Sequence, residues 1–152
     1  MSESNELYQE LILDHNKRPR NFRRLAAEEC SCHADGRNPL CGDTLALDVK
    51  LDHDRIVDIA FEGSGCAIST ASASIMTESV KGKTTQQVKV LFDIFHGMVT
   101  EQRMPDEMES LGKLAAFSAV GEYPARVKCA TLAWHTLMVA ISGQSSELVT
   151  TE

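Results

Sequence analysis

Residues 44–63 read T-L-A-L-D-V-K-L-D-H-D-R-I-V-D-I-A-F-E-G, and this stretch sets the fold class. Leu45, Leu47, Val49 and Leu51 recur with a strict period of two, the mark of a half-buried strand over 44–51. The polar connection D-H-D-R at 52–55 leads into I-V-D-I-A-F-E at 56–62, where Ile56, Asp58 and Ala60 alternate with Val57, Ile59 and Phe61. Two alternating runs joined by so short a turn predict an antiparallel hairpin, and residues 28–34 are expected to add a third strand. After Gly63-Ser64-Gly65 the pattern turns helical. Residues 66–80 are rich in small side chains, with Ala67, Ala71 and Ser74 allowing close approach and Ile68, Ile75 and Met76 facing a core. A helix over about 84–98 follows, with Thr84 as its N-cap. The segment 99–123 carries Pro105, Gly112 and Gly121 around a short helical piece. The last helix starts near Pro124, a residue favoured at the first helical position, and stops at Gly143. Its apolar side is read as Val127, Ala130, Thr131, Trp134, Met138 and Ile141.

Upstream, Leu7 and Leu11, with Tyr8 and Ile12, form an apolar stripe at i, i+4 spacing over residues 4–15, and K-R-P-R-N at 17–21 ends that helix. Strands followed by helices give an α+β fold: a small antiparallel sheet of about three strands, covered by helices on one side. The 152 residues suit one domain, 1–152, without repeats or an obvious linker.

Charge narrows the partners. Fifteen Lys and Arg against 22 Asp and Glu leave a net charge of -7. An acidic chain without a basic run is a poor partner for nucleic acid or an anionic membrane. The opening M-S-E-S-N-E-L-Y-Q-E is polar and acidic, unlike a secretory signal. No apolar run approaches the roughly 20 residues that span a bilayer. The expected location is cytoplasmic.

Five cysteines, Cys30, Cys32, Cys41, Cys66 and Cys129, argue against a disulfide framework in such a chain. Cys41 and Asp43 precede the first strand of the hairpin, and Cys66 follows the second, so both loops meet at one end of the sheet. Cys129, near the start of the last helix, has only to dock there. Three thiols and a carboxylate suit zinc and fit calcium or magnesium poorly. There is no C-x-x-C pair, and spacing alone leaves two readings open, a shared metal site or buried structural cysteines. C-S-C-H at 30–33 favours packing or partial exposure over a second metal site, with Cys30 and Cys32 on one face of a strand and His33 on the other. His53 lies in a turn, His96 near a helix end, and His135 too far along the last helix to join Cys129. Met76, Met98, Met104 and Met108 read as core filler.

N-P-L-C-G-D (38–43), F-E-G-S-G-C-A-I-S-T-A-S-A-S-I-M (61–76) and Y-P-A-R-V-K-C-A-T-L-A-W (123–134) together resemble the three cysteine motifs of the IscU/NifU-like family, and within it the SufU branch. The resemblance runs from Leu7 to Gly143. Two features point to that branch: Lys128 stands where scaffold members carry His before the last cysteine, and Cys129 follows Cys66 by 63 positions. What the resemblance implies is a zinc ion on Cys41, Asp43, Cys66 and Cys129, with Cys41 accepting persulfide sulfur from a SufS-type cysteine desulfurase. A histidine of the desulfurase would replace Cys41 on the metal, and Arg126 would attract the persulfide or tune Cys41. The implied downstream partner is a SufB/SufC/SufD-type assembly complex. The alternative is an IscU-like scaffold carrying a [2Fe–2S] cluster on the same ligands. Cys30 and Cys32 depart from the family pattern.

Overall fold

A computed structural model describes residues 3–101, 111–142 and 148–150. Helix α1 (Glu3–Lys17) precedes three strands, β1 (Cys32–Asn38), β2 (Asp43–Asp52) and β3 (Arg55–Ser64). Helices α2 (Ala67–Val80) and α3 (Thr85–Thr100), a 3₁₀ segment (Gly112–Glu122), helix α4 (Pro124–Ser142) and the short strand β4 (Leu148–Thr150) follow. The sheet order is β3-β2-β1-β4, antiparallel except for the β1–β4 pair. Thus the three-stranded antiparallel sheet is present, and β4 extends its edge.

The hairpin forms as its alternation demands, with one irregularity. A register shift at Lys50/Leu51 pairs Leu51 with Ile56 and Lys50 with Asp58, so Val57 bulges outward. The bulge resets the phase, which is why Ile56, Ile59 and Phe61 all reach the core although their spacing is not a uniform two. Strand β1 lies about four residues later than the expected 28–34. Its inward residues are small: a Cβ on Gly36 would overlap the Thr136 hydroxyl of α4, so A-D-G at 34–36 lets the helix lie close. Cys30 therefore precedes the strand rather than sharing a face with Cys32.

All the helices pack on the face carrying Leu45, Leu47, Val49, Ile59 and Phe61. Helix α4 is enclosed by β1, α2, α3 and the 3₁₀ segment, and it buries Cys129, Leu132, Ala133, Thr136 and Leu137 besides Ala130, Thr131 and Trp134. The one-sided stripe expected for it is too narrow, because this helix has neighbours on most sides. Phe95 stacks on Trp134 with centroids 5.2 Å apart and meets Phe117 edge-on at 5.9 Å. Thr84 caps α3 in a reciprocal capping box with Gln87. Helix α1 is pegged to α2 by the wholly buried His15, whose Nδ1 lies 2.6 Å from Ser74 Oγ. Met76 and Met98 are buried; Met104 and Met108 lie outside the described residues.

The chain between α1 and β1 first runs along the edge of β3, where Phe22 bridges Phe61. On the opposite face of the sheet the Arg24 guanidinium donates to both oxygens of the buried Asp48, at 2.7 and 3.2 Å. His33 Nδ1 lies 2.7 Å from the same carboxylate and its Nε2 3.0 Å from Asp35. Burial alone would raise the Asp48 carboxyl, but Arg24, His33 and the Leu25 amide bring it down to about 2.

A carboxyl depressed below its ordinary 3.8 adds stability that is complete above that value and lost as pH falls towards about 2. Asp48→Ala is therefore expected to lose about 2–3 kcal/mol in urea unfolding at pH 7, since charged hydrogen bonds vanish from a buried position. The difference from wild type should shrink in melts taken between pH 4 and pH 2. An equal difference at both ends would show that packing, not the ion pair, is what the mutation removes.

Candidate metal centre

The period of two that sends Leu45, Leu47 and Val49 inward continues to Asp43, the first residue of β2, which is wholly buried. Its cross-strand partner Asn38, the last residue of β1, is buried with it. Between them the turn 39–42 carries half-buried Cys41 between the exposed Leu40 and Gly42, whose φ of +72° favours glycine. Cys66 is the N-cap of α2, its sulfur accepting the Ser69 N–H at 3.4 Å. Cys129 lies in the second turn of α4, with its thiol 3.6 Å from the Ala125 carbonyl. Pro124 opens the helix, as the sequence indicates, which leaves Cys129 near its start.

These segments converge. Cys129 Sγ lies 3.3 Å from Cys41 Sγ, and one donor atom from each of Cys41, Asp43 and Cys129 falls within 4.8 Å of the others. The Cys66 amide donates to Asp43 Oδ1 at 2.9 Å, which brings the third cysteine beside this trio without placing its sulfur inside the tightest grouping. Asn38 Nδ2 donates to Asp43 Oδ2 at 3.1 Å and to Cys129 Sγ at 3.5 Å. A Cβ on Gly65 would overlap the Asp43 carboxylate, so this glycine permits the close approach.

Burial pushes the Cys129 thiol far above the usual thiol range, reinforced by hydrogen bonding with Cys41, Asp43 and Cys66. Such a thiol ionises only with a cation beside it. Arg126, one turn earlier on α4, is exposed and faces the same sulfurs: Cys66 first, then Cys129 and Cys41, raise its guanidinium further. A tetrahedral zinc ion with Zn–S near 2.3 Å separates its sulfurs by about 3.8 Å. The sulfur and oxygen donors gathered here, one of them a buried thiol that needs a counter-charge, fit that ion.

Among the described residues this is the one cluster of three or more metal-binding side chains. Cys30 Sγ instead donates to the Cys32 carbonyl at 3.1 Å, and Cys32 packs against the core. His53 is exposed in its turn beside Asp52. His96 and His135 meet edge-on, with centroids 5.6 Å apart, in an aromatic group with Phe92. Lys128 is half-buried next to Cys129. The residue that the sequence reading passed over is Asn38. Its signal was available, because Ala34, Gly36 and Asn38 share the inward face once β1 is carried to its true end.

Residues 7–142 match the family described as NifU-like N terminal domain. The chain is 45% identical over 141 residues to the iron-sulfur cluster assembly scaffold protein IscU of Streptococcus pyogenes serotype M1, covering 93% of this chain and 86% of that one. It is 44% identical over 131 residues to the zinc-dependent sulfurtransferase SufU of Bacillus subtilis (strain 168), covering 86% of each. A solved structure of a SUF-system iron-sulfur cluster assembly scaffold protein from Fervidobacterium islandicum AW-1 superposes with a TM-score of 0.81. That protein is 38% identical, over 91% of this chain and 98% of the other. The chain belongs to the NifU-like N-terminal domain family.

Asn38→Ala and Gly65→Ala are each expected to weaken retention of a bound divalent ion about 10- to 100-fold, the usual effect of removing support behind a ligand. Competition with a chromophoric chelator measures this, with far-UV circular dichroism to confirm the fold. Unchanged retention in both variants would mean that Asp43 is not held at the ion.

Proposed function

We propose that, within this family, the chain is a zinc-dependent sulfur acceptor: it takes persulfide sulfur from a cysteine desulfurase onto Cys41 and passes it to an iron–sulfur cluster assembly complex of the Suf type. Zinc would be held by Cys41, Asp43, Cys66 and Cys129. The observation that carries the reading is an asymmetry of burial. Asp43 and Cys129 are sealed between sheet and helix, whereas Cys41 sits half-exposed on a four-residue turn ending at the left-handed Gly42. Of the three clustered donors, Cys41 is the one that can leave without unpacking the core. The name of the B. subtilis relative, at 44% identity, supports the same reading.

When bound, the ion would keep the thiols ionised at neutral pH and tie the 39–42 turn to the starts of α2 and α4. The chain's own residues do the rest. The Cys41 thiolate attacks the outer sulfur of the desulfurase persulfide; the new bond joins Cys41 to that sulfur, the old S–S bond breaks, and the desulfurase cysteine leaves as a thiolate. The Arg126 guanidinium offers the incoming persulfide anion a positive partner. Cys66 and Cys129 remain in place as anchors, and the exposed Leu40 gives the Cys41 turn an apolar tip for the partner to cover.

The name of the S. pyogenes relative favours a second reading, a scaffold on which a [2Fe–2S] cluster is built on the same residues. Lys128 weighs against it. An ammonium has no lone pair for iron, while an imidazole at that position would have one.

Cys41→Ser should stay folded and lose sulfur acceptance, read as persulfide mass on the protein after incubation with desulfurase and cysteine. A persulfide on Cys30 or Cys32 in its place would overturn the assignment. Cys66→Ser and Cys129→Ser should lose zinc and melt at lower temperature, because metal binding is linked to folding. Anaerobic reconstitution with iron and sulfide separates the two readings: retained zinc supports transfer, and a stoichiometric cluster that displaces zinc and moves intact to an acceptor protein establishes the scaffold.

A further inference from the structure

Beside the cysteine cluster runs an open groove of about 670 Å³, walled by Tyr8 and Ile12 of α1, Ile68 of α2, and Ala119 and Tyr123 at the end of the 3₁₀ segment. Two residues of the thiol cluster's surroundings also line it, Cys66 and Arg126. Its volume falls in the range of small-molecule sites, roughly 300–1,000 Å³. Charge restricts the occupant further. Arg126 is the one cation among its lining residues and Glu122 the one anion; the rest are apolar or neutral, and the soft nucleophilic group is Cys66. A ligand that satisfies this set carries a carboxylate for Arg126, an ammonium for Glu122, and a sulfur directed to the cysteines.

We propose that this groove binds a low-molecular-weight thiol of amino-acid to tripeptide size, zwitterionic, which serves as an alternative acceptor for the sulfur carried on Cys41. The inference rests on the sulfur-acceptor reading above. The step balances without an added oxidant or reductant. The thiol R–SH attacks the outer sulfur of the Cys41 persulfide, an R–S–S bond forms, the bond from Cys41 to that sulfur breaks, and the proton of R–SH ends on Cys41. The product is a diffusible small persulfide, so the protein would feed reactions that consume soluble persulfide sulfur as well as a protein partner.

The test uses full-length, zinc-loaded protein charged with sulfur by the desulfurase and then freed of it. Glutathione, a zwitterionic tripeptide thiol, is compared with uncharged 2-mercaptoethanol, with S-methylglutathione as a ligand unable to accept sulfur. Discharge to glutathione should saturate and be inhibited by S-methylglutathione, while discharge to 2-mercaptoethanol rises linearly. Ala119 is exposed, so Ala119→Trp fills the groove from outside the core. It should slow glutathione discharge about tenfold, since a blocked site forfeits its binding energy, and leave loading by the desulfurase and discharge to 2-mercaptoethanol unchanged. Glu122→Gln should raise the half-saturating glutathione concentration, which gives the same comparison if the tryptophan variant fails to fold. Amide shifts at Ala67, Ala119 and Tyr123 on adding S-methylglutathione report occupancy without any turnover.

Linear, uninhibited discharge to both thiols with no amide shifts would overturn the small-thiol site while leaving sulfur acceptance intact. Ala119→Trp that blocks loading but spares glutathione discharge would assign the groove to a segment of the desulfurase and overturn it equally. Failure of wild-type protein to load sulfur on Cys41 would overturn sulfur acceptance itself, and this inference with it.

Discussion

The carboxylate of Asp43 joins the parts of this molecule that chemistry needs together. One oxygen takes the backbone N–H of Cys66 and the other takes the amide of Asn38, so the ends of β1 and β2 and the start of α2 are bound through a single side chain. A buried carboxylate is tolerated when it is fully hydrogen-bonded, and its donors here are the neighbours that bring cysteines to the site. Gly65 belongs to the same constraint, because any side chain there would occupy the carboxylate's place.

The two faces of the sheet handle buried negative charge in different ways. On the outer face Asp48 is matched by Arg24 and His33, which keep it ionised far into acid and fasten the chain between α1 and β1. On the inner face the thiols gather around Cys129, and the nearest basic group facing them, Arg126, is exposed. A stabilised anion of the first kind is a structural clasp. A cluster of acidic groups without an internal cation is suited to receiving a metal.

The small residues of α2 and α4 serve this arrangement as much as the core does. Ala71, Ala73 and Ser74 let α2 pack closely against α1 and α4, and Ser72 Oγ donates to the Ala130 carbonyl across that contact. Close packing fixes Cys66 and Cys129 to rigid helices, leaving the 39–42 turn as the adjustable part. The groove beside them lies between α1, the end of the 3₁₀ segment and the start of α2 at Cys66, Ala67 and Ile68.

Local pattern determined most of the elements. The strict alternation of 44–51, the Thr84 cap and Pro124 at the head of α4 are each decided by neighbouring residues, and the structure has them in place. Because β2 begins at the end where β3 stops, the meeting of the Cys41 and Cys66 loops was also legible. Position along β1 was not: the glycine of A-D-G-R-N has its reason in Thr136, exactly one hundred residues away, and no local rule contains that contact. The same holds for the many-sided burial of α4 and the complete burial of Cys129. Periodicity says which side of an element is apolar; only the packed tertiary structure decides how many neighbours that element has and which polar group ends up facing a thiol.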